Sequence, residues 1–122
     1  SGTYKGIIMT VTVDDASAAF GTPLYQAADF HYDRCDADAA TTMPCRAVAL
    51  ESGSGSKQVL LKGQICDTSW NWSSGTVWVS LTTGAFTQTM PSGTGDQVQE
   101  VGFALSADTI YFDPNSIVAE VV

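Results

Sequence analysis

Hydrophobic positions along this chain come in short alternating runs separated by turn-forming residues. Residues 4–13 are rich in β-branched side chains and alternate apolar with polar from Met9 onward, which predicts a strand. Residues 14–20 read as a short helical turn stopped by Gly21, residues 24–32 mix apolar and polar positions, and residues 33–40 form an Asp/Ala-rich loop. Further strands are expected at residues 46–51, 58–65, 77–81, 86–89, 98–105 and 109–112, with 52–56 a flexible Ser/Gly connection and Gly63 a candidate bulge. No segment carries an i, i+3, i+4, i+7 apolar stripe over a dozen residues, and 37 of the 122 residues are Ser, Thr or Gly. Short strands with frequent turns predict an all-β fold, a small single-domain β-barrel or sandwich.

The chain also echoes itself. Gly21-Thr22-Pro23-Leu24-Tyr25 matches Gly75-Thr76-Val77-Trp78-Val79, Thr42-Met43-Pro44 matches Thr89-Met90-Pro91, and Ala47-Val48-Ala49-Leu50 matches Gly102-Phe103-Ala104-Leu105. The offset shortens at Thr-Met-Pro, so loop lengths differ between the halves. An internal duplication closing into one barrel is expected, since two copies are too few for a solenoid.

With 122 residues there is room for one core and not comfortably for two. Residues 1–13 are read as an N-terminal strand or arm and residues 14–122 as the barrel. Only 15% of residues are charged, against about a quarter in average proteins, so the chain is expected to fold. The balance of 5 Lys+Arg against 13 Asp+Glu gives −8, which disfavours nucleic acid and anionic membranes as partners. No apolar run is long enough for a membrane span, and no signal peptide is visible. The Ser1-Gly2 start suggests a processed chain or an excised piece.

Candidate chemistry is sparse. His31 is the only histidine, so a Ser-His-Asp or Cys-His arrangement would have to pass through it, and no G-x-S-x-G elbow accompanies it. Asp29, Asp33, Asp36 and Asp38 crowd one region, but D-x-x-D-x-D is not a calcium-loop spacing, and a solvated acidic loop is expected. Nothing selects a carboxylate pair for glycoside hydrolysis. We therefore expect no catalytic group, no cofactor and no metal. For Cys35, Cys45 and Cys66 two readings stand: a Cys35–Cys45 disulfide across the intervening loop with Cys66 buried and free, or three reduced thiols.

Aromatic residues are more informative. Trp70 and Trp72 are two apart and share a side if the backbone is extended, so they either stack on a ligand or pack within the fold or a subunit contact. The run Ser69-Trp70-Asn71-Trp72-Ser73-Ser74-Gly75-Thr76-Val77-Trp78-Val79-Ser80 is followed by Thr82-Thr83-Gly84-Ala85-Phe86-Thr87-Gln88-Thr89-Met90-Pro91. Then come Val98-Gln99-Glu100-Val101-Gly102-Phe103-Ala104-Leu105 and Ile110-Tyr111-Phe112-Asp113-Pro114. This series resembles a module common in tailed-phage structural proteins: a Trp, a Gly-led aromatic strand, a T-G-x-x-T-Q-T-x-P hairpin, V-G-x-A-L and a closing I-Y-F-x-P. It covers about residues 44–115, and the first forty fit only through the internal echo. One departure is Trp78-Val79-Ser80, where the family usually has Tyr-Leu-Ser.

The resemblance implies a small β-barrel that assembles as a homotrimer in a virion, as a capsid decoration (cement), head-fibre or fibre-end protein. The expectation is a non-enzymatic virion protein that stabilises the shell by binding major capsid protein or another virion protein. The alternative is a fibre-end domain that binds a receptor or glycan. Expected contact residues are Tyr4, Ile7 and Ile8 in the N-terminal arm, together with Trp70, Trp72, Trp78 and Tyr111. The apolar C-terminal tail, residues 117–122, is expected to pair within the sheet or with a neighbour, since an exposed strand invites edge pairing.

Overall fold

The fold is known from a computed structural model that describes residues 2–122. Eleven strands form: β1 (Gly2–Val13), β2 (Pro23–Ala28), β3 (His31–Arg34), β4 (Cys45–Ala49), β5 (Gly55–Asp67), β6 (Gly75–Val79), β7 (Phe86–Thr87), β8 (Gln97–Val98), β9 (Glu100–Ser106), β10 (Thr109–Phe112) and β11 (Ala119–Glu120). The all-β expectation holds. Residues 14–20 form turns and no helix, and the helical content described is a 3₁₀ turn at Ala40–Thr42. No helix among the described residues is long and apolar enough to cross a membrane.

Five strands close a barrel in the order β1–β3–β2–β4–β5 and back to β1. All contacts are antiparallel except β1 with β3, which is parallel. β1 is paired with β5 along its whole length, from Gly2 opposite Asp67 to Val13 opposite Gly55. The strand expected at the N-terminus is therefore present, but residues 2–13 are a barrel stave and not a free arm. Their alternating β-branched sequence finds its partner within the chain.

β5 is long enough to serve two layers. Its second edge takes β4 at Leu60 and Val59, then β10 from Gly63 to Cys66. From β10 the sheet runs on through β9, β6 and β7. β11 pairs with β8 in a small separate ladder, so the apolar tail is tied down within the chain.

The internal echo is a real repeat of pairing. Pro23, Leu24 and Tyr25 lie opposite Val48, Ala47 and Cys45, with Arg46 skipped; Thr76, Val77 and Trp78 lie opposite Phe103, Gly102 and Glu100, with Val101 skipped. The pairs Val48–Leu60 and Ala49–Val59 recur as Phe103–Tyr111 and Ala104–Ile110. One detail of the sequence match shifts by a residue: the ladders equate Pro23 with Thr76, whereas the sequence echo equates Pro23 with Val77.

Two buried clusters result. Val11, Val13, Leu24, Tyr32, Ala47, Ala49 and Val59 fill the closed barrel. Its interior is narrow, which explains the small residues Ala47 and Ala49 on β4, between bulkier neighbours. The next residue along the strand, Val48, points out of the barrel, as does Leu60. Both join Val77, Val79, Val101, Ile110 and Phe112 in the larger cluster beneath the second layer. β4 is thus buried on both faces, which removes the polar half of its alternation. β2 and β3 are half wet, with Leu24 and Tyr32 inward and polar neighbours outward, so their pattern reads as mixed.

Candidate contact surface

The outward face of β1, β5, β10, β9 and β6 carries Ile7 and Phe103, two of the exposed large apolar side chains. Register places Lys5 opposite Gln64, Gln64 opposite Tyr111, and Tyr111 opposite Phe103, so these four share one side of the sheet. Ile7, two residues from Lys5, lies opposite Lys62 on the same side. Phe103 is 48% exposed and Ile7 59% exposed. The Phe103 and Tyr111 rings are neighbours, centroids 5.7 Å apart and planes at 36°. Trp78 points to the same side of β6, because Val77 and Val79 on either side of it point inward, and it is half-buried.

A groove of about 400 Å³ runs along this face between Lys5, Ile7, Lys62, Gln64 and Tyr111. Its floor is bare backbone. Gly6 and Gly63 face each other across β1 and β5, and a Cβ on either would lie 2.1–2.2 Å from the opposing carbonyl oxygen. The bulge expected at Gly63 falls nearby instead, between Ile7 and Ile8 of β1, where Leu61 of β5 is left without a partner. Lys62 lies 3.9 Å from Asp113, whereas Lys5 has no carboxylate within salt-bridge distance among the described residues.

The remaining expected contact residues go elsewhere. Ile8 is half-buried and packs against the larger core cluster. Trp70 and Trp72 pack on that cluster too, with ring centroids 5.5 Å apart and Phe86 edge-on to Trp70. The two indoles seal the open side of the second layer, where Ser73 is held by Gln88: its N–H donates to Gln88 Oε1, and its carbonyl accepts from Gln88 Nε2. Tyr4 is 44% exposed and lines a smaller groove of about 240 Å³ with Gln64, Cys66 and Thr109. The expected set therefore divides: Ile7, Trp78 and Tyr111 share the outer face, while Ile8, Trp70 and Trp72 serve packing. Phe103 escaped the sequence reading. Its signal was available in the alternation of residues 101–105, but only the ladder shows that its side lacks a cover.

Ionisable groups are mostly engaged in local structure. His31 Nδ1 and Asp14 Oδ1 are 2.9 Å apart in an exposed pair. Asp15 accepts from the Ser17 N–H and from Arg34 Nε at 2.6 Å, which together hold its carboxyl below the ordinary aspartate pKa. In the acidic loop Asp36 accepts from the Asp38 N–H and the Thr83 hydroxyl, and Asp33 accepts from the Arg34 N–H. Among the described residues no three His, Cys, Asp or Glu side chains are placed to hold a metal ion.

Cys35 and Cys45 are fully buried neighbours and are unbonded in this structure. Burial, followed by the hydrogen bond between the two, pushes the Cys35 thiol well above its usual range. Cys66, near the end of β5 and paired with β1 on one side and β10 on the other, is partly exposed, not buried as expected. Comparison with protein families, curated proteins and solved structures finds no match for this chain.

Proposed function

We propose that this chain is a non-enzymatic structural module of a tailed-phage-type virion, a decoration or cement protein that stabilises the shell as a homotrimer. The observation that carries the reading is the division of labour on the surface. Ile7 and Phe103 stand exposed on one sheet face beside Tyr111 and Trp78, while Asp36 and Asp15 are engaged in turns and a surface pair. The sequence resemblance over residues 44–115 supplies the setting. A barrel closed by full-length pairing of β1 and β5 is a rigid scaffold for display, and three copies holding a shell at once gain from effective concentration even when each contact is weak. In this reading the partner is major capsid protein or another virion protein, and the site of action is the virion surface.

The test is cosedimentation of the purified protein with shells of the phage that encodes it, stripped of this chain, at low and high salt. Saturable binding is expected, and it persists at high salt where packing of Ile7, Phe103, Tyr111 and Trp78, not the neighbouring charges, carries the contact. Failure to bind shells at any protein concentration refutes the reading. So does a catalytic turnover abolished by replacing one polar side chain in a folded protein.

A second reading has its own observation. The Phe103 and Tyr111 rings beside Gln64 form a small aromatic shelf of the kind on which a sugar ring stacks. A fibre-end domain that binds glycan would show array signals lost in Tyr111→Ala, with shell binding absent.

A further inference from the structure

A second groove opens beside β7, where the sheet ends. It holds about 340 Å³, within the roughly 300–1,000 Å³ of small-ligand sites, and Leu81, Met90 and Pro91 supply its apolar wall. Leu81 and Met90 are exposed. Asp96 lines the same groove and is only 7% exposed. Its Oδ2 accepts the Gly93 N–H at 2.8 Å, while Oδ1 takes no donor among the described residues.

A carboxylate withdrawn from water calls for a counter-charge, and the chain provides none. No Lys or Arg lies within salt-bridge distance of Asp96 among the described residues. Arg34 passes close to Gly84 but is committed to Asp15 at 2.6 Å. The surroundings add negative charge instead. The Ala37 N–H donates to the Ser80 carbonyl and the Ala37 carbonyl accepts from the Gln97 N–H, which brings Asp36 and Asp38 close to the groove. A side chain with an apolar stem and a cationic head fits such a site, its stem on Leu81 and Met90 and its head on Asp96. The strand beside the groove says how that side chain can arrive. Thr87 of β7 lines it, and β7 pairs with β6 on one edge while its other edge has no strand partner among the described residues. An extended segment can add to such an edge through main-chain hydrogen bonds, with alternate side chains facing the same way.

We infer that the groove between Leu81, Met90 and Asp96 is a docking site for an extended segment of another protein, seated along the free edge of β7 with an arginine or lysine side chain on the Asp96 carboxylate. The basic head supplies the charge that Asp96 lacks, and the main chain of the segment fixes its register on β7. This groove shares no lining residue with the one beside Ile7 and Tyr111, and its occupation stands whether or not the chain belongs to a virion.

The experiment is an NMR titration of the full chain, following backbone amides, with the blocked peptide acetyl-Val-Thr-Arg-Thr-Val-amide. The same peptide with citrulline for arginine removes the charge at nearly constant shape, and N-acetylarginine amide keeps the charge but has no strand to pair. Asp96→Asn retains an oxygen for the Gly93 N–H, and circular dichroism checks its fold. Asp29→Asn, in the exposed turn between β2 and β3, removes the same charge away from the groove. The expected result is saturable binding to wild type with shifts centred on residues 80–96, at least tenfold weaker for the citrulline peptide and for Asp96→Asn, and within about twofold of wild type for Asp29→Asn. No saturation with millimolar arginine peptide overturns the inference. Equal binding of the citrulline peptide overturns it as well, on wild-type protein alone. Equal losses in Asp96→Asn and Asp29→Asn assign the attraction to the overall charge and overturn the site. N-acetylarginine amide binding as tightly as the pentapeptide overturns the extended segment in favour of a small organic cation.

Discussion

Gln99 is the most heavily used polar side chain in the core and gives the sharpest stability test. It is 1% exposed, and its carboxamide accepts from the Cys45 N–H at 2.7 Å while donating to the carbonyls of Cys45 at 3.0 Å and Asn115 at 2.8 Å. These bonds tie the start of β4 to the segment that follows β10. Gln99→Leu keeps most of the volume and removes all three. The Cys45 N–H is then buried without an acceptor, at a cost of about 1–3 kcal/mol, and weaker satisfaction of the two carbonyls brings the total to roughly 2–4 kcal/mol. For a domain of this size that corresponds to a fall in Tm of roughly 6–20 °C. Gln88 provides the control, because it embraces Ser73 in the same two-bond manner at an exposed site. There water replaces the lost partner, and Gln88→Leu should cost no more than about 1 kcal/mol. Urea unfolding followed by tryptophan fluorescence measures both, with m unchanged if the unfolding remains two-state. Equal losses in the two variants would refute the claim that burial sets the worth of this hydrogen-bond pattern.

Three further outcomes are expected. Gly102→Ala should destabilise by about 3 kcal/mol or more, since its Cβ would sit 1.9 Å from the Tyr111 carbonyl oxygen at φ +151°; a Tm within a few degrees of wild type by calorimetry would contradict this. Deleting residues 2–13 should abolish cooperative unfolding, because β1 supplies Val11 and Val13 to the barrel core; a sharp thermal transition in the truncated chain would show that β1 is dispensable. The lowered pKa of Asp15, due first to the Ser17 N–H and then to Arg34, means that its contribution is present above the ordinary value of 3.8 and is lost as pH falls through the native value. Asp15→Asn should therefore cost about 0.5–1 kcal/mol at neutral pH and little in strong acid, and a difference that persists undiminished in strong acid would oppose that assignment.

The order of strands along much of the chain was legible because alternation at residues 4–13 and the dense Thr, Ser and Gly content leave little alternative to a β fold. The repeat was legible as well, in Gly-Thr, Thr-Met-Pro and Ala-Leu echoes. Sequence could not reveal that β1 is a barrel stave, since a strand that pairs within the chain and one that reaches for a neighbour have the same pattern of side chains. The roles of Trp70 and Trp72 were open for a similar reason: indole is suited equally to stacking on a ligand and to sealing a core, and only the position of Phe86 decides between them. Phe103 went unnoticed because the alternation of residues 101–105 does not tell whether its side of the strand is covered. Local sequence specifies which side of a strand is apolar, but whether that side meets protein or water depends on long-range pairings, here the two partners that share one edge of β5. Composition fixed the acidity and the small single core; tertiary structure decided which apolar face was left without a cover, because exposure is a property of how layers stack and not of any residue.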